Sequence, residues 1–228
     1  MDVRDRFVQQ VVKGKTFAEV GGLWGTVSEK ASVAHAAGAS ELTMIDISLA
    51  GSHWWQEFEK RRQALNVPPV RSISGDVMKL ADADPSLRFD VVHCSGILYH
   101  VPNPLHFLKC LRTITREYLI LTSSITATEI SNSAGRLTVP AGSALFLPAL
   151  STVEKAVLKE HWSVVVPDTA HGLTKEIPRW RLEDFGPWWW LPTTDALAAM
   201  CRVVGFDVLG LELTWSGYAA TLLLRVAG

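Results

Sequence analysis

At 228 residues the chain has room for one domain of ordinary size, or one carrying an insertion, and not for two full ones. Apolar residues make up 48% and charged residues 20%, enough for a packed core, which excludes a wholly disordered chain. Lys plus Arg number 22 against 23 for Asp plus Glu, so no basic field exists to hold a polyanion and nucleic acid is not the expected partner.

The start, Met1-Asp2-Val3-Arg4-Asp5-Arg6, mixes charge signs and lacks the apolar stretch of a signal peptide. The longest near-apolar run, Val139 to Leu150, is broken by Pro140, Gly142 and Pro148 and falls short of the roughly 20 residues of a membrane span. No membrane association is expected. Cys94, Cys110 and Cys201 are odd in number, far apart and without a CxxC, which suits a reducing cytoplasm better than a disulfide framework or a metal site.

Val3, Phe7 and Val11 recur at i, i+4 and i+8 and predict an amphipathic N-terminal helix, whose simplest role is docking on the fold. Strand-like runs then follow at Thr16–Val20, Glu41–Asp46, Val70–Ser74, Phe89–Cys94 and Tyr118–Thr122. Helical candidates lie between them at about Thr26–Ala37, Trp54–Leu65 and Pro104–Thr115, each long enough to cross over a sheet. Thr26 and Glu29 have capping-box spacing at the head of the first. The alternation stops from Ala127 to Pro192, where six of eleven prolines and five of nine tryptophans fall and only Val153–Glu160 has helical spacing. It resumes with a helix at Thr194–Val204 and two strands, Asp207–Leu213 and Tyr218–Val226, whose short connection makes the pair antiparallel. The expected fold is α/β: a doubly wound, mostly parallel seven-stranded sheet with an antiparallel C-terminal hairpin and an insertion after strand five.

In such a sheet, ligands sit beyond the carboxyl ends of the strands where strand order reverses. Those ends carry Glu19 with Gly21-Gly22-Leu23-Trp24-Gly25, then Asp46-Ile47, then Gly75-Asp76-Val77, then Cys94-Ser95-Gly96. Glycines let backbone approach a ligand closely, and an acid about twenty residues later is placed to accept from ribose hydroxyls. An acid at the next strand end can accept from an exocyclic amine. A nucleoside-bearing ligand follows, and the glycine spacing chooses among such ligands. No GxGxxG exists to wrap a diphosphate, and Glu19 beside the glycines suits an ammonium and a sulfonium, so S-adenosylmethionine (SAM) fits better than NAD.

Here the chain resembles the class I SAM-dependent methyltransferases. The likeness is carried by Phe17-Ala-Glu-Val-Gly-Gly-Leu-Trp-Gly25, Leu42-Thr-Met-Ile-Asp-Ile-Ser48, Ser74-Gly-Asp-Val77 and the run from Phe89 through Leu98-Tyr99-His100 to Pro104. Trp190-Leu-Pro, Leu197-Ala-Ala-Met200 and Gly205-Phe206 extend it to the last helix and strands. Leu23 stands where the common loop has its middle glycine, which reads as a subgroup feature. The resemblance implies a core at residues 15–126 and 190–228 and a substrate cap at 127–189. It also implies that Glu19 and the backbone of Gly21, Gly22, Trp24 and Gly25 hold the methionyl part. Asp46 would accept from the ribose, Ile47 would pack on adenine, and Asp76 with the Val77 amide would take the adenine edge. The Cys94 backbone would receive the ammonium, with Tyr99 and His100 overhanging the transferred methyl. S-adenosylhomocysteine is the implied product.

Simpler readings stand beside these. Asp46 and Asp76 could be helix caps, and His100 could orient the segment after it rather than abstract a proton. His171 and Asp168 lie in the insertion and are read as loop residues. His35, His53, His93, His106 and His161 show no metal spacing, and Asp82 and Asp84 are placed in a loop near Pro85. Trp188-Trp189-Trp190 is divided between core plug and acceptor lining. The expected function is SAM-dependent methylation of a small molecule, with an oxygen acceptor preferred and natural-product chemistry in view. The alternatives are methylation of tRNA or protein, a non-catalytic binding subunit, and a nicotinamide oxidoreductase. Monomer and homodimer are both open.

Overall fold

The computed structural model describes residues 2–23, 29–165, 173, 179–183 and 186–228. In chain order the elements are α1 (Val3–Val11), β1 (Thr16–Val20), α2 (Ala31–Ala36), β2 (Glu41–Asp46), α3 (His53–Ala64), β3 (Arg71–Ser74), α4 (Val77–Ala83), β4 (Phe89–Ser95), α5 (Pro104–Ile114) and β5 (Thr115–Ser124). Then come β6 (Glu129–Asn132), β7 (Gly135–Thr138), β8 (Ala144–Phe146), α6 (Thr152–Trp162), β9 (Trp190–Pro192), α7 (Thr194–Val203), β10 (Phe206–Thr214) and β11 (Ala219–Val226).

Seven strands form one sheet in the order β10-β11-β5-β4-β1-β2-β3. All neighbours pair in parallel except β11, which runs antiparallel to both β5 and β10. Strand order reverses between β1 and β4, so the crevice for a ligand opens above that pair. Alternation along each strand sends side chains to two faces. One face packs Val20, Val92, Cys94, Leu119 and Leu121 against α4, α5 and α7. The other packs Phe17, Val91 and Ile120 against Phe7, Val8 and Ala34 of α1 and α2. The N-terminal helix is therefore docked core: Phe7 and Val8 are buried, worth about 1.5–3 kcal/mol each.

The structure corrects the expectations in three places. Residues 77–83 form α4, headed by the Asp76 cap, so Asp82 lies in a helix and Asp84 at its end. The first crossover helix starts later than expected: α2 begins at Ala31, and the Glu29 carboxylate accepts from the Ser32 amide at 2.9 Å and pairs with Arg61. Thr26, with Trp24, Gly25, Asp168 and His171, lies outside the described residues.

The third correction concerns the insertion, which holds more regular structure than its sequence suggested. β6 and β7 form a hairpin, and α6 carries a complete capping box from Ser151 and Glu154. β8 pairs antiparallel with β9 across more than forty intervening residues, joining Ala144 to Pro192 and Phe146 to Trp190. The Thr126 and Thr193 amides donate to the carbonyls of Pro192 and Ser143, which fastens this clasp to the sheet. A separate core of Ile130, Leu137, Val157, Leu158, Trp162 and Trp188 fills the subdomain. Among the described residues, no helix is long and apolar enough to cross a membrane.

Candidate active site

The carboxyl ends of β1 to β4 are stitched together by backbone. The Gly21 amide donates to Ile45, the Gly75 amide to Asp46 and the Gly96 amide to Thr122. These bonds bring Glu19, Gly21, Gly22, Asp46, Asp76, Val77 and Cys94 to one rim, as the spacing predicts for a ligand crevice.

Each acid on that rim has a distinct setting. Asp46 is 2% exposed, accepting from the Ser48 amide through Oδ1 at 2.8 Å and from the Leu23 amide through Oδ2 at 3.3 Å. It thus ties the end of β2 to the glycine loop. Asp76 accepts from the Met78 amide at 2.9 Å, so the helix-cap reading of this residue is observed; it is half-buried. Ile47 is 56% exposed on the rim, an apolar surface open to a ligand. Cys94 turns its side chain into the core, where burial pushes the thiol well above its ordinary range. Only its backbone faces the crevice end of β4.

Glu19 is 1% exposed. Its Oε2 accepts from the Lys30 amide at 3.2 Å and its Oε1 pairs with His93 Nδ1 at 2.8 Å. Burial pushes the Glu19 carboxyl up from its ordinary range, and the hydrogen bonds from His93 and the Lys30 amide oppose that rise. Gly22 lies directly against it: a Cβ there would sit 2.5 Å from Glu19 Cγ and 3.0 Å from Met44 Cε. At Gly21, φ is +74° and a Cβ would collide with Ile97, so the loop tolerates no side chain at either position.

Sequence reasoning missed the layer beneath. Arg4 of α1 donates to Ser95 at the end of β4 and pairs with Asp2, which also meets Lys30. Burial works against ionisation of Asp2, yet the hydrogen bonds from Arg4 and the charges of Arg4 and Lys30 hold its carboxyl well below the usual range. The signal was present as charges inside an amphipathic helix, but nothing in one sequence tells which of them face inward.

After β4 a single 3-10 turn, Leu98–His100, carries the other candidates. Tyr99 is buried, its ring 4.9 Å from that of Trp188, and burial pushes its phenol up to about 12. The phenol is therefore a hydrogen-bond donor at neutral pH and not a base. His100 pairs through Nδ1 with the Pro187 carbonyl at 3.2 Å, and the Trp188 ring lies edge-on to it at 6.4 Å. The Trp189 amide donates to the Tyr99 carbonyl and Trp190 Nε1 to the Pro102 carbonyl. The tryptophan triplet thus zips the end of the insertion onto this turn. Trp188 and Trp189 are buried; Trp190 joins Leu98, Tyr99, Ala144 and Met200 around a shallow apolar dimple of about 10 Å³, no larger than a water molecule.

A sheet in this order, with acids and glycines on the rim of its first three strands, defines a class I SAM-dependent methyltransferase. The chain belongs to the methyltransferase family: residues 1–211 match the family described as a methyltransferase domain. No curated protein matches the sequence. Among solved structures, a possible exported protein from Bordetella parapertussis is similar with a TM-score of 0.63 at 14% identity, covering 99% of this chain and 66% of that one. Magnesium protoporphyrin IX methyltransferase from Synechocystis, with bound S-adenosylhomocysteine, gives 0.55 at 16% identity over 94% and 75% of the two chains. The Burkholderia thailandensis 1,6-didemethyltoxoflavin-N1-methyltransferase, with bound 1,6-didemethyltoxoflavin and S-adenosylhomocysteine, gives 0.57 at 12% identity over 99% and 79%.

The residues present fit the donor. The rim offers a buried acid, two glycines at which a Cβ would crowd its neighbours, a second buried acid at the end of β2 and an exposed isoleucine, a set compatible in chemistry with SAM.

Proposed function

We propose that the protein methylates a small-molecule acceptor, at oxygen by preference, with the insertion acting as the substrate cap. The observation that carries the reading is the meeting of two surfaces at the end of β4. The rim of Glu19, Asp46 and Asp76 lies on one side, and the Tyr99–His100 turn roofed by Trp188 on the other. That neighbouring folds include an enzyme crystallised with 1,6-didemethyltoxoflavin supports an acceptor of modest size. The near-zero net charge and the tryptophans gathered at the Tyr99–His100 turn support one with an apolar or planar part.

When bound, SAM supplies a methyl group activated by its sulfonium. Glu19, the backbone of Gly21 and Gly22, Asp46, Ile47, Asp76, the Val77 amide and the Cys94 carbonyl would hold it. The rest of the task is alignment and exclusion of water. Trp188 and Trp189 seal the turn from solvent. The bond to Pro187 fixes the ring of His100 and, in the neutral tautomer with Nδ1 protonated, puts the lone pair on Nε2. His100 Nε2 would take the proton from an acceptor hydroxyl, while the neutral Tyr99 phenol can donate to the acceptor oxygen.

Calorimetry with SAM and S-adenosylhomocysteine tests the first half of this reading; binding of neither would overturn it. For the second half, His100→Ala should lower turnover by about 10²–10⁴-fold, leaving cofactor affinity within threefold. Unchanged turnover would retire His100 as the base. Locating the methyl on the product by NMR decides between oxygen and other acceptor atoms.

A further inference from the structure

His93 sits in the middle of β4 and is fully buried. In the β1–β4 ladder it lies directly opposite Glu19. Successive residues alternate faces, so both side chains point toward the α1–α2 side, where Phe17 and Val91 precede them. Their contact is a cross-strand pair, Nδ1 to Oε1 at 2.8 Å, at 0% and 1% side-chain exposure. The other ring nitrogen, Nε2, is buried and meets no hydrogen-bond partner among the described residues.

That orphaned nitrogen decides the protonation pattern. A charged imidazolium would bury an N–H donor with nothing to receive it, on top of the cost of burying the charge. A neutral ring protonated at Nδ1 donates to the carboxylate and leaves only a lone pair unused, the cheaper arrangement. The pair then carries one negative charge, held on Glu19 and received by two donors: the His93 ring and the Lys30 amide. Both oxygens are fixed, one from the sheet and one from the entrance of α2. The carboxylate is pinned against Gly22, in the loop that receives the donor's methionyl end.

We propose that His93 is a positioning residue for cofactor binding: from the neighbouring strand it holds Glu19 ionised and oriented beneath the glycine loop. The inference rests on the reading of Glu19 given under Proposed function. His93 touches no ligand itself; it acts through the carboxylate.

The test is a double-mutant cycle read as the Kd for S-adenosylhomocysteine by calorimetry, with thermal unfolding as the control for folding. Glu19→Gln should raise Kd about tenfold or more, as expected for loss of a charge-assisted contact. His93→Leu, similar in bulk and without a donor, should raise it by a comparable factor. In the Glu19→Gln background the same His93→Leu change should add less than threefold. His93→Asn, whose amide N–H stands near the place of Nδ1, should restore affinity to within about threefold of wild type. A histidine that merely fills space would show none of this coupling and no difference between Leu and Asn. Equal losses from His93→Leu in both backgrounds, or equal losses from Leu and Asn, would overturn the role of His93 alone. An unchanged Kd in Glu19→Gln would overturn it together with the placement of the methionyl end.

Discussion

Replacing Asp46 with Ala should weaken SAM binding by roughly 10- to 100-fold, the worth of one or two hydrogen bonds to a charged acceptor. The residue is positioned by its own backbone, since its carbonyl receives the Gly75 amide while Gly21 binds the preceding Ile45. Its carboxylate already serves the Leu23 and Ser48 amides, so the alanine variant also leaves those donors without a partner. A stability loss of about 1–3 kcal/mol should accompany the binding defect. Asp46→Asn separates the two effects. It keeps an acceptor oxygen for one amide and should recover much of the stability while still binding the ribose hydroxyls poorly. Calorimetry and denaturant unfolding read the two quantities independently. A Kd for Asp46→Ala equal to wild type would remove this residue from the donor site.

The second large effect is expected at Trp162, far from any motif. Its side chain is 1% exposed, edge-on to Trp188 at 4.7 Å and to Tyr218 at 5.1 Å. Tyr218 in turn donates to the His161 carbonyl, so α6 is fastened to the start of β11 through this cluster. Trp162→Ala should cost about 3–5 kcal/mol, because a cavity of indole size between two aromatic walls collapses poorly. Near-UV circular dichroism and urea unfolding would register it. Because Trp188 leans on both Trp162 and Tyr99, the variant should also lose turnover more than cofactor affinity. A loss below about 1.5 kcal/mol would mean that the cap is not built on this indole.

The strands at the centre of the sheet were legible because each is buried on both faces, so β1, β2 and β4 are rich in apolar residues without a helical period. α4 escaped because it is only seven residues long and buries only Val77 and Ala81, too little for a period to show. Its start signal, Asp76, was read as a ligand acid with a helix cap as the simpler alternative, and the cap is observed. The β6–β7 hairpin escaped for a related reason. Its four-residue strands are mostly exposed, and Ser133-Ala134 is not a turn pair that announces itself.

The three acids could be found because each stands at or just beyond the carboxyl end of its strand. The pairing of Glu19 with His93 could not, since 74 residues separate them and only the β1–β4 register brings them together. The tryptophan triplet was half legible. Its bulk foretold a plug, but which indoles face inward depends on the turn after β4, to which Trp189 and Trp190 are bonded.

The clasp of β8 and β9 has a consequence for how this protein can change. Residues 144–146 and 190–192 hold each other and are tied through Thr126 to the end of β5. Once the two ends of a segment are joined, lengthening it is cheap: each doubling costs only about 0.6 kcal/mol in closure entropy. Insertions or deletions between Trp162 and Trp188 that spare those two indoles therefore cost the rest of the fold little.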